Sequence, residues 1–226
     1  MNSAPEQGPR AEAPATPSQL SSTYRYETAS LNASHEYLLP AVREYLQQVA
    51  GDRKRLRVFD LGCGNGSVSA ELARMGHDVV GVDGSVDGIA FAKRAHPQLR
   101  LEHRSVYDDL AAIYGTFDVV MTLEVIEHLY SPEAFVARAV ELVKPGGHLI
   151  LSTPYHGYLK NLAIAVAGGF DRHFMASEEH GHIKFWSIRT LSPLLEANGL
   201  SLLSVKRVGR VPALAKSMVF LAQKPR

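Results

Sequence analysis

The chain has 226 residues and a formal net charge of +1, with 46% hydrophobic and 21% charged residues. This length suits one domain with a sizeable core, and the composition is that of an ordinary globular protein. The near-neutral charge disfavours a nucleic-acid partner, because such proteins need a basic surface to neutralise phosphates. Apolar runs stay shorter than the ~18 residues of a membrane span, so no transmembrane segment is predicted.

The first residues and the cysteine content indicate where the domain begins and which compartment suits it. Residues 1–22 are rich in Pro, Ala, Ser, Gln and Glu and are predicted to form a disordered tail before a single domain over residues 23–226. They lack the apolar segment of a signal peptide. Cys63 is the only cysteine, so an intrachain disulfide is impossible and a reducing, cytoplasmic location is expected. The sequence carries no signal for an oligomeric state.

Hydrophobic periodicity and turn residues predict alternating helices and strands. Helices are predicted over residues 33–50, 67–75, 85–95, 131–143 and 190–199, and strands over 56–61, 78–82, 99–103, 117–122, 148–152, 202–208 and 217–222. Ser131 is expected to cap its helix, residues 144–147 to end that helix, and Pro193 to fall in the first turn of the last helix. The alternation predicts a doubly wound α/β fold with a mostly parallel sheet, in which ligands bind beyond the carboxyl ends of the strands.

The first strand ends in a turn with three glycines. Residues 58–66 read Val-Phe-Asp-Leu-Gly-Cys-Gly-Asn-Gly, and glycine permits both positive φ and close approach of a ligand to the backbone. Asp60 supplies a charge for a cationic or hydroxylated ligand. The dinucleotide motif G-x-G-x-x-G does not fit, because its last glycine falls at Ser67. A tight turn without a ligand is the alternative. The spacing of Asp60 and the glycines resembles that of class I S-adenosylmethionine-dependent methyltransferases.

The second and third strand ends extend the nucleoside interpretation. Asp83-Gly84-Ser85 ends the second strand, where an acid suits hydrogen bonds to two ribose hydroxyls. NAD enzymes place an acid similarly, and a helix cap is the other alternative for Asp83. By resemblance to the methyltransferases, Ser105 and Val106 after the third strand border the adenine.

The fourth strand end concentrates ionisable side chains. Glu124, Glu127 and His128 lie three and four residues apart, so a helical turn would bring them to one face. Two carboxylates and an imidazole can act in acid–base chemistry or bind a cation, although histidine is unusual for Mg²⁺. The alternative is that they are solvated or pair with Arg and Lys.

The resemblance narrows at this point to one group of enzymes. Glu-Val-Ile-Glu-His-Leu at 124–129, Lys-Pro-Gly-Gly at 144–147 and Asn-Ala-Ser-His-Glu-Tyr-Leu-Leu-Pro at 32–40 resemble the ubiquinone-biosynthesis O-methyltransferases, over about residues 24–224. This implies a Rossmann-like methyltransferase fold, a seven-stranded sheet with an antiparallel C-terminal strand, and S-adenosylmethionine as the cofactor. It also implies a divalent metal near Glu124, Glu127 and His128. The cofactor-binding residues that the motifs and the resemblance together indicate are Asp60, Gly62, Gly64, Asn65, Gly66, Asp83, Gly84, Ser85, Ser105, Val106, Leu123 and Glu124.

Residues 153–186 are expected to form an insertion that covers the substrate. Their tyrosines, phenylalanines and Trp186 are expected to line an aromatic or prenylated substrate pocket. Within residues 157–170, the apolar stretch at 162–166 either contacts a membrane surface or packs onto the core. Three histidines, His173, His180 and His182, lie within ten residues, although their spacing matches no common zinc motif.

The expected function is methyl transfer from S-adenosylmethionine to a hydroxyl of a small aromatic or quinol-like molecule. His128 is the predicted base, with Glu127 beside it, because a phenol with a pKa near ~10 must lose its proton. C- or N-methylation remains open. An NAD-dependent oxidoreductase is opposed by Ser67, and a non-catalytic S-adenosylmethionine-binding protein is opposed by Glu127 and His128.

Overall fold

Strands and helices alternate along the part of the chain described by this computed structural model, residues 28–174, 178 and 181–226. The strands are β1 Arg57–Leu61, β2 Asp78–Asp83, β3 Arg100–His103, β4 Phe117–Leu123, β5 Val143–Pro154, β6 Ser201–Val208 and β7 Ser217–Gln223. The helices are α1 Ala33–Ala50, α2 Ser67–Arg74, α3 Val86–Ala95, α4 Leu110–Tyr114, α5 Pro132–Leu142, α6 Tyr158–Val166, α7 Phe170–His173 and α8 Ile188–Ala197. The tail predicted over residues 1–22 lies outside the described residues.

The strands form one sheet in the order β3-β2-β1-β4-β5-β7-β6. Strand β7 runs antiparallel to both of its neighbours, and the other neighbouring pairs are parallel. The predicted doubly wound fold with an antiparallel C-terminal strand is therefore confirmed. Because the strand order reverses between β1 and β4, a crevice opens beyond their carboxyl ends, and ligands of such sheets bind there.

Apolar side chains cover both faces of the sheet, as parallel strands require. On one face, Val58 packs with Leu38 and Val42 from the buried side of α1. On the other face, Phe59 meets Phe117 edge-on, with 4.8 Å between ring centroids, in a cluster that includes α5 and α8. Val58 and Phe59, which are successive residues of β1, thus pack against the helices on opposite faces of the sheet. This packing fixes the position of the glycine turn that follows β1.

Ser131 and Pro132 begin α5 as N-cap and first-turn residue, as predicted, but two details around this helix differ from expectation. The Ser131 side chain caps no amide of the described residues, and its own amide donates to the Tyr107 hydroxyl at 3.3 Å. Strand β5 begins at Val143 and includes residues 144–147, which were expected to separate helix from strand. The reason is long-range pairing, since the amide and carbonyl of Lys224 bond to this Gly-Gly pair.

The boundaries of α8 and of the insertion also differ from expectation. Helix α8 begins at Ile188, so Pro193 lies in its interior rather than in its first turn. A capping box starts the helix early, with Thr190 Oγ1 accepting a hydrogen bond from the Ser187 amide at 3.0 Å. Residues 153 and 154 complete β5, so the insertion begins two residues later than predicted.

Helices α4, α6 and α7 have no counterpart among the predicted elements. They are short, with five, nine and four residues. Short helices give too few repeats for a periodic pattern to stand out. Across the described ranges, none of the helices has the length and apolar character needed to cross a bilayer.

Candidate active site

The glycine turn after β1 is closely packed against neighbouring side chains. Gly62 and Gly66 both have positive φ, at 86° and 74°. A Cβ at Gly66 would lie 2.6 Å from Leu101 and 2.9 Å from Ala92, and a Cβ at Gly62 would overlap Val125. Backbone conformation and close packing therefore both require glycine at these two positions.

Asp60 lies beneath the turn and is almost completely buried, with 2% of its surface exposed. The Ser69 hydroxyl donates to its carboxyl at 2.5 Å. Burial raises the pKa of Asp60 to about 7; the Ser69 hydrogen bond opposes this shift and nearby Asp83 adds to it. A cation bound next to Asp60 would therefore favour the ionised carboxylate over the protonated form.

Asp83 connects the end of β2 to the glycine turn. Its two oxygens accept hydrogen bonds from the Gly64 amide at 2.8 Å and the Ser85 amide at 2.7 Å. The predicted cap of α3 is Ser85, and its hydroxyl accepts from the Gly88 amide at 3.0 Å. Because each carboxylate oxygen has a second lone pair, Asp83 can still accept a hydrogen bond from a ligand hydroxyl.

The Asn65 side chain is engaged by the chain's own backbone. Its amide nitrogen donates to the carbonyls of Thr28 and Ser30, at 2.7 and 3.0 Å, and its oxygen accepts from the Ser67 amide at 3.2 Å. Asn65 thus fastens the segment before α1 across the glycine turn. No spacing rule in the sequence indicates this contact, because its partners lie far apart along the chain.

A cavity of about 1180 Å³ lies at the carboxyl ends of the strands, and only some of the predicted cofactor-binding residues line it. Those that line it are Asp60, Gly62, Gly64, Asn65, Asp83, Leu123 and Glu124. Described lining residues do not include Gly66, Gly84, Ser85, Ser105 or Val106. Val106 is 8% exposed and packs in the core, and the Ser105 hydroxyl accepts from the Tyr107 amide at 3.2 Å.

Glu124 occupies a strained position at the end of β4. Among the described residues it alone combines a side chain with positive φ, at 56°. Its carboxyl accepts hydrogen bonds from the hydroxyls of Ser152 at 2.8 Å and Ser217 at 3.1 Å. Burial raises the pKa of Glu124 to about 7, although both serines oppose the shift. The hydroxyls hold the side chain toward β5 and β7.

Glu127 is fully buried in a single 3-10 turn, Ile126–His128. One carboxyl oxygen accepts from the Thr153 hydroxyl at 3.0 Å, and the other has no hydrogen-bond partner in the described part of the chain. Burial raises the pKa of Glu127 well above its usual range, and the charge of Glu124 adds to the shift. The carboxyl is therefore held protonated unless a cation meets its second oxygen.

His128 is oriented by the end of the insertion. Its Nδ1 lies 3.2 Å from the carbonyl oxygen of Gly181. Because a carbonyl only accepts, this hydrogen bond places the ring proton on Nδ1 and makes Nε2 the basic nitrogen. Nε2 is 4.0 Å from the Glu127 carboxyl, and the His182 ring stands edge-on to His128 with 4.8 Å between centroids. The geometry suits proton acceptance from a hydroxyl in the cavity.

One cluster of three side chains has metal-ligand spacing within the described residues: the ligand atoms of Glu127, His128 and His182 lie within 4.8 Å of one another. Glu124, which the resemblance placed beside the first two, is not a member because the serine hydroxyls engage its oxygens. Of the histidine-rich run, His180 lies outside the described residues, and the His173 ring contacts His156 at 5.8 Å between centroids.

The insertion builds the cavity wall opposite the glycine turn. Its lining residues include His156, Lys160, Ala163, Ile164, Ala167, Gly169, Arg172, His173, Gly181, His182 and Phe185. Phe185 contacts the rings of His156 and Phe174 at 5.1 and 4.9 Å. Tyr155 and Trp186, expected in an aromatic pocket, pack against the core instead.

The insertion is also bonded directly to the turn that carries Glu127. The amides of Ile183 and Lys184 both donate to the Glu127 carbonyl at 2.9 Å. Sequence patterns did not single out Lys160 or Arg210, although both line the cavity. For Lys160 the available signal is a charged residue within an apolar helical segment.

A family profile described as a methyltransferase domain matches residues 34–205, which span the glycine turn and the end of β4. The chain belongs to this family of methyltransferases. The resemblance to class I S-adenosylmethionine-dependent methyltransferases is thereby confirmed.

Two similar curated proteins both carry the name "ubiquinone biosynthesis O-methyltransferase". The protein from Cereibacter sphaeroides is 36% identical over 160 residues, covering 69% of this chain and 64% of that protein. The protein from Azorhizobium caulinodans is 37% identical over 150 residues, covering 62% of this chain and 59% of that protein. The methyltransferase thus spans about three fifths of the length of the curated relatives it matches.

Solved structures share the fold of the methyltransferase at lower identity. Magnesium protoporphyrin IX methyltransferase from Synechocystis, solved with bound S-adenosylhomocysteine, superposes with a TM-score of 0.64 at 19% identity, covering 83% of this chain and 82% of that one. An S-adenosylmethionine-dependent methyltransferase from Mesorhizobium loti gives a TM-score of 0.61 at 20% identity, covering 81% and 96%.

Proposed function

We propose that this methyltransferase transfers a methyl group from S-adenosylmethionine to a hydroxyl of a small aromatic, quinol-like molecule. The proposal is carried by one observation: His128, with Nε2 as its basic nitrogen, lines the same cavity as Asp60 and the glycine turn. Curated relatives named for ubiquinone biosynthesis favour a hydroxyl as the acceptor.

The cofactor half of the cavity is proposed to lie against Asp60, Gly62, Gly64 and Asp83. Gly62 and Gly64 line the cavity without side chains of their own, so a ligand can approach their backbone, and Asp83 can accept from ribose hydroxyls. Asp60 offers a carboxylate to a cationic group. S-adenosylmethionine supplies a methyl group on a positively charged sulfonium, which needs no further activation. The protein must therefore align the acceptor, and alignment alone is worth up to roughly 7–11 kcal/mol in model reactions.

The acceptor hydroxyl is proposed to donate its proton to Nε2 of His128. A phenol with a pKa near ~10 is mostly protonated at neutral pH, so a base close to neutrality assists the reaction. The Gly181 carbonyl fixes the tautomer, and buried Glu127 at 4.0 Å stabilises the imidazolium once it forms.

As an alternative to base catalysis by His128, we propose a divalent cation bound by Glu127, His128 and His182, in which case Nε2 of His128 holds the ion instead of taking the proton. Three ligand atoms within 4.8 Å and a carboxyl oxygen without a hydrogen-bond partner in the described chain fit a small ion. Two imidazoles and one carboxylate suit zinc or manganese better than magnesium. Bound there, the ion would lower the pKa of the acceptor hydroxyl. Metal analysis after dialysis against Zn²⁺ or Mn²⁺ tests this, with Glu127→Gln expected to lose the bound metal.

A peripheral membrane contact through residues 157–170 is also proposed. Tyr158, Leu159, Leu162 and Val166 lie within about 100° of arc on α6 and are 79%, 55%, 45% and 81% exposed. An apolar stripe turned to solvent fits insertion into a lipid surface. Core packing, the other expectation for this stretch, does not describe these side chains.

Vesicle sedimentation tests the membrane contact. The double variant Leu162→Ser, Val166→Ser should lose binding to phosphatidylglycerol-containing vesicles. Ile113→Ser changes an apolar residue that is equally exposed, at 45%, but lies away from α6, so it should bind normally. Vesicle binding that survives the double variant would remove α6 from the proposal.

Cofactor binding and product mass test the main proposal. A ligand that binds only the folded chain stabilises it by about 2.7 kcal/mol at a hundredfold excess over Kd. S-adenosylhomocysteine should therefore raise the melting temperature, and NAD should not. A panel of catechols and quinols incubated with S-adenosylmethionine should then yield O-methylated products. Stabilisation by NAD alone, or methylation confined to carbon or nitrogen, would contradict the proposal.

A further inference from the structure

Helix α6 reverses the usual arrangement of an amphipathic helix. Its one buried residue is Lys160, 9% exposed, whereas its large apolar side chains face solvent. The Lys160 Nζ donates to the carbonyl of Lys216 at 3.3 Å and lines the cavity. Burying an ammonium group is costly unless an anion compensates it. The position of Lys160 therefore calls for a binding partner inside the cavity.

A second cation lies beside Lys160. Burial, together with a smaller effect of the Arg210 charge, lowers the pKa of Lys160 to about 8, while Glu124 opposes the shift. Arg210 lines the same cavity. In the described ranges, no carboxylate oxygen lies within 4.0 Å of either cation. Two neighbouring cations repel each other unless an anion sits between them.

Glu124 compensates this charge only in part, because it interacts electrostatically with Lys160 but forms no ion pair with it. Its two oxygens accept from Ser152 and Ser217, which direct the carboxyl toward the strands. The remaining cations on this wall, Arg172 and Lys216, add positive charge, and Glu178 is the one described acid of the insertion that also lines it.

The cations lie on the acceptor side of the cavity rather than the cofactor side. Ser217 begins β7, which is three strand spacings, about 14 Å, from the glycine turn after β1. Lys160 is bonded to Lys216, the residue before β7, and Arg210 lies in the connection between β6 and β7. Next to Lys160, the His156 and Phe185 rings contact each other at 5.1 Å and offer a surface for a planar ring.

We propose that the methyl acceptor is an aromatic molecule carrying an anionic group of the carboxylate class, bound by Lys160 and Arg210. The ring would lie against His156 and Phe185, with its hydroxyl toward His128. This inference rests on the proposed methyl transfer, and it adds the charge of the substrate. It excludes acceptors that are neutral throughout as the preferred substrates.

Binding of two matched probes tests the charge preference. Calorimetry in the presence of S-adenosylhomocysteine compares 3,4-dihydroxybenzoate with 4-methylcatechol, in which an uncharged methyl group replaces the carboxylate. The wild type should bind the acid at least roughly tenfold more tightly, as expected for charge-assisted hydrogen bonds. Lys160→Met should bring the ratio close to one, and Arg210→Gln should lower it.

Control variants separate this effect from misfolding and from net charge. Lys93→Met removes the same charge from an exposed site on α3 and should keep the preference. Lys160→Arg keeps the charge in place and should retain most of it. Each variant should still be stabilised by S-adenosylhomocysteine, which shows that it folds.

The outcomes distinguish three possibilities. Equal binding of both probes by the wild type, or an unchanged ratio in Lys160→Met, would overturn the anion site. Loss of vesicle binding in Lys160→Met with no change in the probe ratio would make a lipid phosphate the occupant, which also overturns it. Carboxylate preference without any O-methylated product would instead contradict the proposed methyl transfer alone.

Discussion

The carbonyl oxygen of Gly181 lies 3.2 Å from Nδ1 of His128 and so assigns Nε2 as the basic nitrogen. If Nε2 takes the acceptor proton, His128→Ala should lower kcat at least about 100-fold, the range of general-base catalysis. Affinity for S-adenosylhomocysteine should not change. His96→Ala, at the end of α3 and outside the cavity lining, should keep full activity. A kcat within about threefold of wild type would place the base elsewhere.

The buried carboxyl of Asp60 makes stability depend on pH. Its pKa is about 7 in the folded chain against an ordinary value of 3.8. The folded chain therefore holds a proton that the unfolded chain releases, so the free energy of unfolding falls as the pH rises from about 4 to 7. The difference between these pKa values corresponds to a loss on the order of 4 kcal/mol.

Urea denaturation at pH 5 and pH 7.5 measures this effect. Asp60→Asn removes this titrating carboxyl and should make the dependence shallower, so that the variant gains stability relative to wild type at the higher pH, while Glu124, whose pKa is also raised to about 7, keeps part of the dependence. Asp52→Asn, an exposed control, should follow the wild type. Parallel curves for Asp60→Asn and wild type would show that Asp60 does not titrate in this range.

Gly66 and Gly199 form a matched pair for testing the packing of the glycine turn. Both have similar positive φ, 74° and 79°, but a Cβ at Gly66 would meet Leu101 and Ala92, whereas one at Gly199 meets open space. Gly199→Ala should cost about 1 kcal/mol of backbone strain. Gly66→Ala should cost a further 1–3 kcal/mol or so through overpacking, measured as a lower urea midpoint. Equal losses would mean that the neighbours of Gly66 yield easily.

Asp83 should influence both stability and cofactor affinity. Asp83→Ala leaves the amides of Gly64 and Ser85 without their acceptor, which costs about 1–3 kcal/mol for a buried donor. It should also weaken S-adenosylhomocysteine binding by roughly tenfold or more, by calorimetry. Asp87→Asn, an exposed acid in the first turn of α3, should alter neither quantity. Unchanged affinity in Asp83→Ala would assign Asp83 a purely structural role.

Sequence patterns predicted most helices and strands well because these elements depend on residues that are close together in the chain. Helix 33–50 matches α1 at both ends, and its start depends on the Asn32 and His35 capping box within four residues. Alternation of strands and helices sufficed for the parallel order. Long-range contacts explain the errors: Lys224 extends β5 backward through pairing with residues 144–147, which no window of neighbouring residues can contain.

The residues of the candidate site were likewise predictable from sequence only where they belong to a local motif. Asp60, Gly62, Gly64 and His128 belong to motifs at strand ends, and the structure places them around one cavity. Lys160 belongs to no motif, and its significance appears only through burial against the chain near β7. Sequence spacing indicated which side chains could take part in binding or catalysis. The buried charge of Lys160 became visible only in the three-dimensional structure.

The two hydrogen bonds from Ile183 and Lys184 to the Glu127 carbonyl have a consequence for exchanging parts between relatives. If residues 155–180 alone were replaced by those of a relative, the hybrid would gain a new wall on the acceptor side of the cavity. It would keep its own hydrogen bonds from Ile183 and Lys184 to the 3-10 turn. A replacement that extends beyond Lys184 would exchange these two hydrogen bonds as well, and the position of His128 in the same turn would change with them. For the proposed acceptor site and the proposed base to be exchanged together, the transplanted segment must therefore extend to the start of α8.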